Sequence, residues 1–393
     1  MEKRELRSFE IRKRKYKRRI LILSILLILL AITIAAIFIY RLMNRNYIAF
    51  QVVNTTERND SNSARYLSYG SGVLRYSRDG AMAMDGAGTL LWNGTYEMND
   101  PIVDVCDKYV SVSDRGYETV QIFNGEGGMA TVNVHNPIIK TEIANQGVVA
   151  VLMDGTDMNL IELYSADGDF LAEIKTVTAQ DGYPIDMTLS DDGRKMVTSY
   201  VSVNNGKIQN KVTFFNFGEV GQNFESRVVA YEDYKQTLVP NVQFINKDTV
   251  CVFGDNKFDI YNMKEIPELV SGVSLPSEVK SLFYSSSYIG FVLKNEKGEK
   301  QDRILVYDLL GNVKLDKAMD IENARSTLSE DELIMYNDTE WEIWRLNGRV
   351  KLRYTFESNI SYVLPVNNLD LYVVVDDHSM NEVKLLEKKK NLE

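Results

Sequence analysis

The sequence predicts an all-β ring, an eight-bladed β-propeller, behind one N-terminal transmembrane helix. Residues 20–40 form a 21-residue run without a single charge. One short phrase recurs eight times along the rest of the chain. After residue 46 the apolar residues alternate with period two, as on half-buried strands, and a helical period of 3.6 does not emerge.

The apolar run is ILILSILLILLAITIAAIFIY, with Ser24 and Thr33 as its only aliphatic hydroxyls. At 1.5 Å per residue it spans roughly 31 Å, about the thickness of a bilayer's hydrocarbon. Its fourteen Leu and Ile outweigh the two hydroxyls on insertion scales. It is longer than the apolar stretch of a secretory signal, and the expectation is an uncleaved anchor. Residues 1–19 hold ten Lys/Arg against Glu2, Glu5 and Glu10. Such a basic flank expects a cytoplasmic N-terminus and a plasma-membrane, extracytoplasmic body. The remaining residues carry 35 basic against 52 acidic side chains, so the body is acidic. An acidic body disfavours nucleic acid as a partner.

Residues 41–63 are expected to be a juxtamembrane segment and linker. The polar stretch 54–63, NTTERNDSNS, supports this. Within it 47–53, YIAFQVV, is a candidate closing strand. Residues 64–393 are the expected propeller.

The recurring phrase has alternating residues, a large apolar residue, then a polar turn. It reads AMAMDGAG (81–88), VQIFNGEG (120–127), IELYSADG (161–168), VTFFNFG (212–218), FDIYNM (258–263), ILVYDLLG (304–311), WEIWRLNG (341–348) and VKLLEKK (383–389). The column residues are Met84, Phe123, Tyr164, Phe215, Tyr261, Tyr307, Trp344 and Leu386, spaced 39, 41, 51, 46, 46, 37 and 42 apart. A period near 43 fits four-stranded blades. In the second unit the strands are expected at 102–107, 109–113, 120–123 and 130–134. The last unit offers only three strands, 360–366, 369–376 and 383–386. Residues 47–53 are expected to supply its fourth and close the ring. Seven blades is the alternative, if the first unit (64–98) is irregular.

The stretch MTLSDDGRKMVTSY (187–200) resembles the inner hairpin of WD40- and TolB-like propellers, and its turn partly repeats as TLSED at 327–331. The column phrases resemble quinoprotein-like (PQQ-type) repeats. The WD dipeptide and its Gly-His partner are absent, a departure from true WD40 repeats. The layout of basic head, single helix, short linker and repeats resembles membrane-anchored propeller proteins of Gram-positive bacteria. The resemblances imply a fold and leave the ligand open.

Chemistry is sparse. No G-x-S-x-G, H-E-x-x-H, C-x-x-C, P-loop or G-x-G-x-x-G occurs. Cys106 and Cys251 fall in units two and five, three blades apart, so they are expected to stay unpaired. As nucleophiles they would need His135 or His378, the only two histidines. Asp154 and Asp157, with Asp167 and Asp169 in the same unit, are the best candidates for calcium, yet six or more oxygens are wanted and a turn role is favoured. Trp92, Trp341 and Trp344 are candidates for stacking on a ligand, against blade packing. Five Asn-x-Ser/Thr triplets begin at Asn54, Asn59, Asn93, Asn337 and Asn359. No catalytic, cofactor-binding or metal-ligating residue is assigned. The expectation is a non-catalytic scaffold at the cell envelope, binding a protein or a cell-wall polymer. The alternatives are a quinone-cofactor or glycan-active enzyme, and a sensor acting through a partner membrane protein.

Overall fold

Each blade follows from its repeated phrase. In five units the residue four positions after the column residue is a glycine: Gly88, Gly127, Gly168, Gly311 and Gly348. All five have φ between 81° and 86°. In four of these five turns the opening residue caps the turn. Asp85, Asn124 and Asp308 accept backbone N–H groups through their side-chain oxygens, and Ser165 does so through its hydroxyl. In six blades the register between third and fourth strand slips at the column residue, a bulge that twists the outer strand.

The computed structural model describes residues 2–58, 64–155, 158–235, 237–295, 300–319, 321, 324–366 and 369–387. It forms eight antiparallel sheets of four strands, lettered A to D in chain order within each blade. Blades 1 to 7 span 65–95, 101–133, 138–177, 183–235, 241–274, 279–319 and 325–355. In blade 2 the strands are Pro101–Cys106, Tyr109–Asp114, Thr119–Phe123 and Met129–Asn133, within one residue of expectation. Blade 8 takes strands A to C from 360–387, and Tyr47–Glu57 lies beside Ser379–Glu387 as strand D. The ring therefore has eight blades. The closing strand runs to Glu57, so the polar stretch read as linker begins inside it; residues 59–63 and the Asn59 triplet lie outside the described residues.

The A strands of successive blades are tied side chain to backbone. Asp104 Oδ2 accepts from Ile143 N (2.7 Å), Asp186 Oδ2 from Val242 N (2.8 Å) and Thr188 Oγ1 from Phe244 N (3.0 Å). Between blades the column residues fill the core, and Phe123, Phe215 and Tyr307 are all under 5% exposed. Phe123 stacks on Trp92 of blade 1 at 5.0 Å. A Cβ on Gly94 would meet the Phe123 ring at 2.2 Å, so only glycine fits there.

One column position is corrected. Leu386 is 41% exposed, whereas Val383 is fully buried and faces Tyr372. The Leu385 N–H to Asp370 carbonyl bond matches Leu346 to Asp331 in blade 7, which puts Val383 where Trp344 stands. The doubled leucine after Val383 had drawn the phrase three residues late.

The N-terminal segment Glu2–Met43 is one helix, in which 20–38 have a mean hydropathy of 3.2 and are long and apolar enough to cross a membrane. Ser24 donates to the carbonyls of Ile20 and Leu21, and Thr33 to those of Leu29 and Leu30. Both hydroxyls are thus satisfied within the helix, as an apolar surround requires.

Candidate binding site

The residues singled out from the sequence do not converge. Cys106 and Cys251 are free thiols, and burial pushes Cys106 up to about 12 and Cys251 higher still. Neither is a ready nucleophile. His135 and His378 are exposed. Asp154 follows strand B of blade 3, whereas Asp167 and Asp169 sit in the turn between its strands C and D, at the other end of the blade. Asp157 lies outside the described residues. No group of three metal-ligating side chains forms among the described residues. Trp92 is buried and donates to Tyr69 Oη at 3.0 Å. Trp341 is fully buried beside Phe50 of the closing strand and Tyr372. Trp344 is half-buried and donates to Glu342 at 2.7 Å. The tryptophans pack blades together.

Charge gathers at the axis instead. Lys140 Nζ lies 2.9 Å from Glu142 and 2.7 Å from Asp186, and also donates to the Met187 carbonyl at 2.8 Å. Asp104 stands nearby. Burial pushes the Glu142 carboxyl up to about 8; Lys140 opposes this and Asp104 reinforces it. Burial pulls the Lys140 ammonium down, but Glu142 and Asp186 together hold it above the ordinary lysine range. Tyr284, from the blade facing blade 2 across the ring, has its phenol raised by burial and then by Glu142 and Asp104. Most of these contacts run from one A strand to the next, so the cluster acts as a strut between blades.

The ring departs from its repeat most sharply in blade 4. Strands B (Lys195–Asn204) and C (Lys207–Asn216) are ten residues each, against five to seven for strand B in the other blades. They meet in a tight turn with Asn205 at φ 51° and Gly206 at φ 74°, the left-handed pair that an Asn-Gly sequence favours. Near the tip Val203 and Ile208 face each other, 72% and 51% exposed.

The second departure is the turn between strands C and D. In the other blades of continuous chain it takes four or five residues; here it runs from Phe217 to Arg227. Buried Asn216 starts it, donating to the carbonyl and carboxylate of Glu265 and accepting from Gly218 N at 2.7 Å. Gly221 then passes so close that a Cβ would lie 1.6 Å from the Asn216 carbonyl oxygen. Two short 3-10 turns follow, and Ser226 and Arg227 both adopt left-handed φ, 52° and 61°. Non-glycine residues so held cost about 1–3 kcal/mol each and mark ligand clamps and active sites.

A cavity lies on each side of this insertion, and Phe217 lines both. One, of about 770 Å³, is lined by Arg194, Lys195, Lys247 and Lys264 with Asp248 and Glu265. Lys195 is 3% exposed and pairs with Asp248 at 2.7 Å. The other, of about 620 Å³, lies between blades 3 and 4, where Val148, Leu163, Leu171, Ile174 and Phe217 make an apolar wall beside Arg227. These residues are absent from the sequence-based candidates. The column spacings of 51 and 46 residues on either side of Phe215 were the signal, since a long hairpin and a long turn each stretch the period.

Comparison with known proteins agrees with the architecture. Residues 43–385 match a family of unknown function, DUF5711. No curated protein sequence matches the chain. Among solved structures, BamB from Moraxella catarrhalis superposes with a TM-score of 0.51 at 11% identity, covering 86% of this chain and 100% of that one. The WD40 domain of SCAP from fission yeast gives 0.52 at 11%, covering 86% and 98%. Apo AztD from Citrobacter koseri gives 0.51 at 8%, covering 76% and 86%. At these identities the likeness is one of fold.

Proposed function

From the premise that this chain belongs to the DUF5711 family, we propose that it is a membrane-tethered, extracytoplasmic β-propeller that binds a partner without catalysing a reaction. The observation that carries the reading is the blade 4 insertion. Seven blades keep short C–D connections or a terminal closing strand, and the one expanded connection builds two cavities. Recognition usually sits on such loops, held by a rigid scaffold. The apolar helix and the cations before it support a cytoplasmic N-terminus and a ring on the outer side of the plasma membrane. The buried, poorly ionised thiols and exposed histidines give no activated nucleophile, which favours binding over chemistry. The partner is a protein or a cell-wall polymer of the envelope. The fold shared with BamB and AztD is compatible with a binding role.

A photo-crosslinking residue at Lys264, which lines the larger cavity from outside the insertion, tests this in the full-length protein in intact cells. A discrete adduct is expected, lost when 218–226 are replaced by a short turn like that of blade 5. Equal adducts from both forms, or none from either, would contradict it.

A further inference from the structure

We infer that the cavity between blades 3 and 4 takes an apolar group that ends in a carboxylate. The inference rests on the binding role proposed above and names its ligand class. At about 620 Å³ the cavity has the size of a small-molecule or peptide-terminus site. Val148, Leu163, Leu171, Ile174 and Phe217 offer a wall that gains by covering apolar surface. Leu171 is itself 52% exposed.

Arg227 sets the polar end. Its Nη1 is buried without a hydrogen-bond partner, and no carboxylate among the described residues pairs with the guanidinium. The acid that shares this cavity, Glu173, is held by Lys175 at 2.8 Å. A buried donor left unmade is destabilising, so this cation calls for an anion from outside. Carboxylate suits it, because the planar guanidinium fork matches two oxygens in one plane. Ser226 and Arg227, both in left-handed φ, line the same cavity as the apolar wall, and strain of this kind is kept where a ligand is clamped. An apolar tail against the leucines with its carboxylate on Arg227 satisfies both features together. Two sources share this chemistry: the C-terminus of a peptide ending in a large apolar residue, and a medium-chain fatty acid.

The test titrates the full-length protein in lipid nanodiscs, with empty nanodiscs as blank. The probes are acetyl-Ala-Ala-Leu as free acid and as amide, and octanoate against octanamide. The acid of one pair should bind at least about 10-fold more tightly than its amide, the worth of a charge-assisted hydrogen bond. The pair that does so identifies the source. Arg227→Gln should abolish the difference, and Arg227→Lys should keep part of it, with melting curves confirming that both variants fold. Equal binding of acid and amide, a preference that survives Arg227→Gln, or no binding of any probe would overturn the inference. In that last case a persisting Lys264 adduct would leave the binding role standing, so the two readings fail separately.

Discussion

Phe50 ties the closing strand to its neighbour blade, and replacing it with Ala should lower the melting temperature by about 3–4 °C. Its ring centroid lies 4.8 Å from Tyr354 and 6.2 Å from Trp341 of blade 7, and 5.6 Å from Phe356 just after it. A fully buried Phe→Ala costs about 3–5 kcal/mol. Phe50 is only half-buried, so about 2–3 kcal/mol is expected, part of it from the aromatic pairs. Unfolding entropy of about 2.1 cal/mol/K per residue gives about 0.7 kcal/mol/K for a ring of roughly 340 residues. The quotient is the stated shift. Val53, on the same strand but 55% exposed, is the control, and Val53→Ala should move the midpoint by less than about 1 °C. Thermal unfolding followed by circular dichroism reads both. A Phe50→Ala protein that melts with the wild type, or a Val53→Ala protein that falls as far, would refute the reasoning. Truncation gives the coarser version: removing residues 1–55 should destabilise the ring far more than removing 1–45.

Two buried charge clusters give further tests. Lys351 and Glu332, 2% and 7% exposed, pair at 2.5 Å with Tyr372 Oη donating to Glu332 at 2.6 Å. Lys351→Met should cost about 3–5 kcal/mol by stranding the carboxylate, and adding Glu332→Leu should restore much of it; denaturant melts decide. At the axis, burial raises Glu142 to about 8 from an ordinary 4.5, so the folded ring holds a proton that the unfolded chain releases between those values. Its contribution is therefore full below about pH 4.5 and fades as pH rises towards 8. Glu142→Gln should flatten the fall in melting temperature over that window; an unchanged slope would assign it to another group.

The architecture was legible because it is written eight times. A strand phrase with a capped turn and a left-handed glycine is a local signal, and Met84, Phe123 and Tyr307 occupy the places their spacing gave them. The closing strand was legible by subtraction, since 360–387 supplies three strands and YIAFQVV had no partner nearby. The last column residue was not, because Val383, Leu385 and Leu386 are all apolar and only register separates them. The candidate site was hidden for the opposite reason. It is built where the repeat fails, from Phe217, Ser226 and Arg227, and its cavity borrows Leu163 and Leu171 from the blade before. No motif in one stretch of chain announces residues joined only by the ring. Asp186 is likewise 44 and 46 residues from Glu142 and Lys140, and it meets them only because A strands converge on the axis.

Thiol labelling with a membrane-impermeant maleimide measures the placement of the ring directly. Val203→Cys at the exposed hairpin tip supplies a reactive thiol, while Cys106 and Cys251 remain protonated and slow. Intact cells should be labelled at this position, with no gain on permeabilisation. Labelling that appears only after the membrane is opened would place the ring in the cytoplasm and contradict an outward-facing binding module.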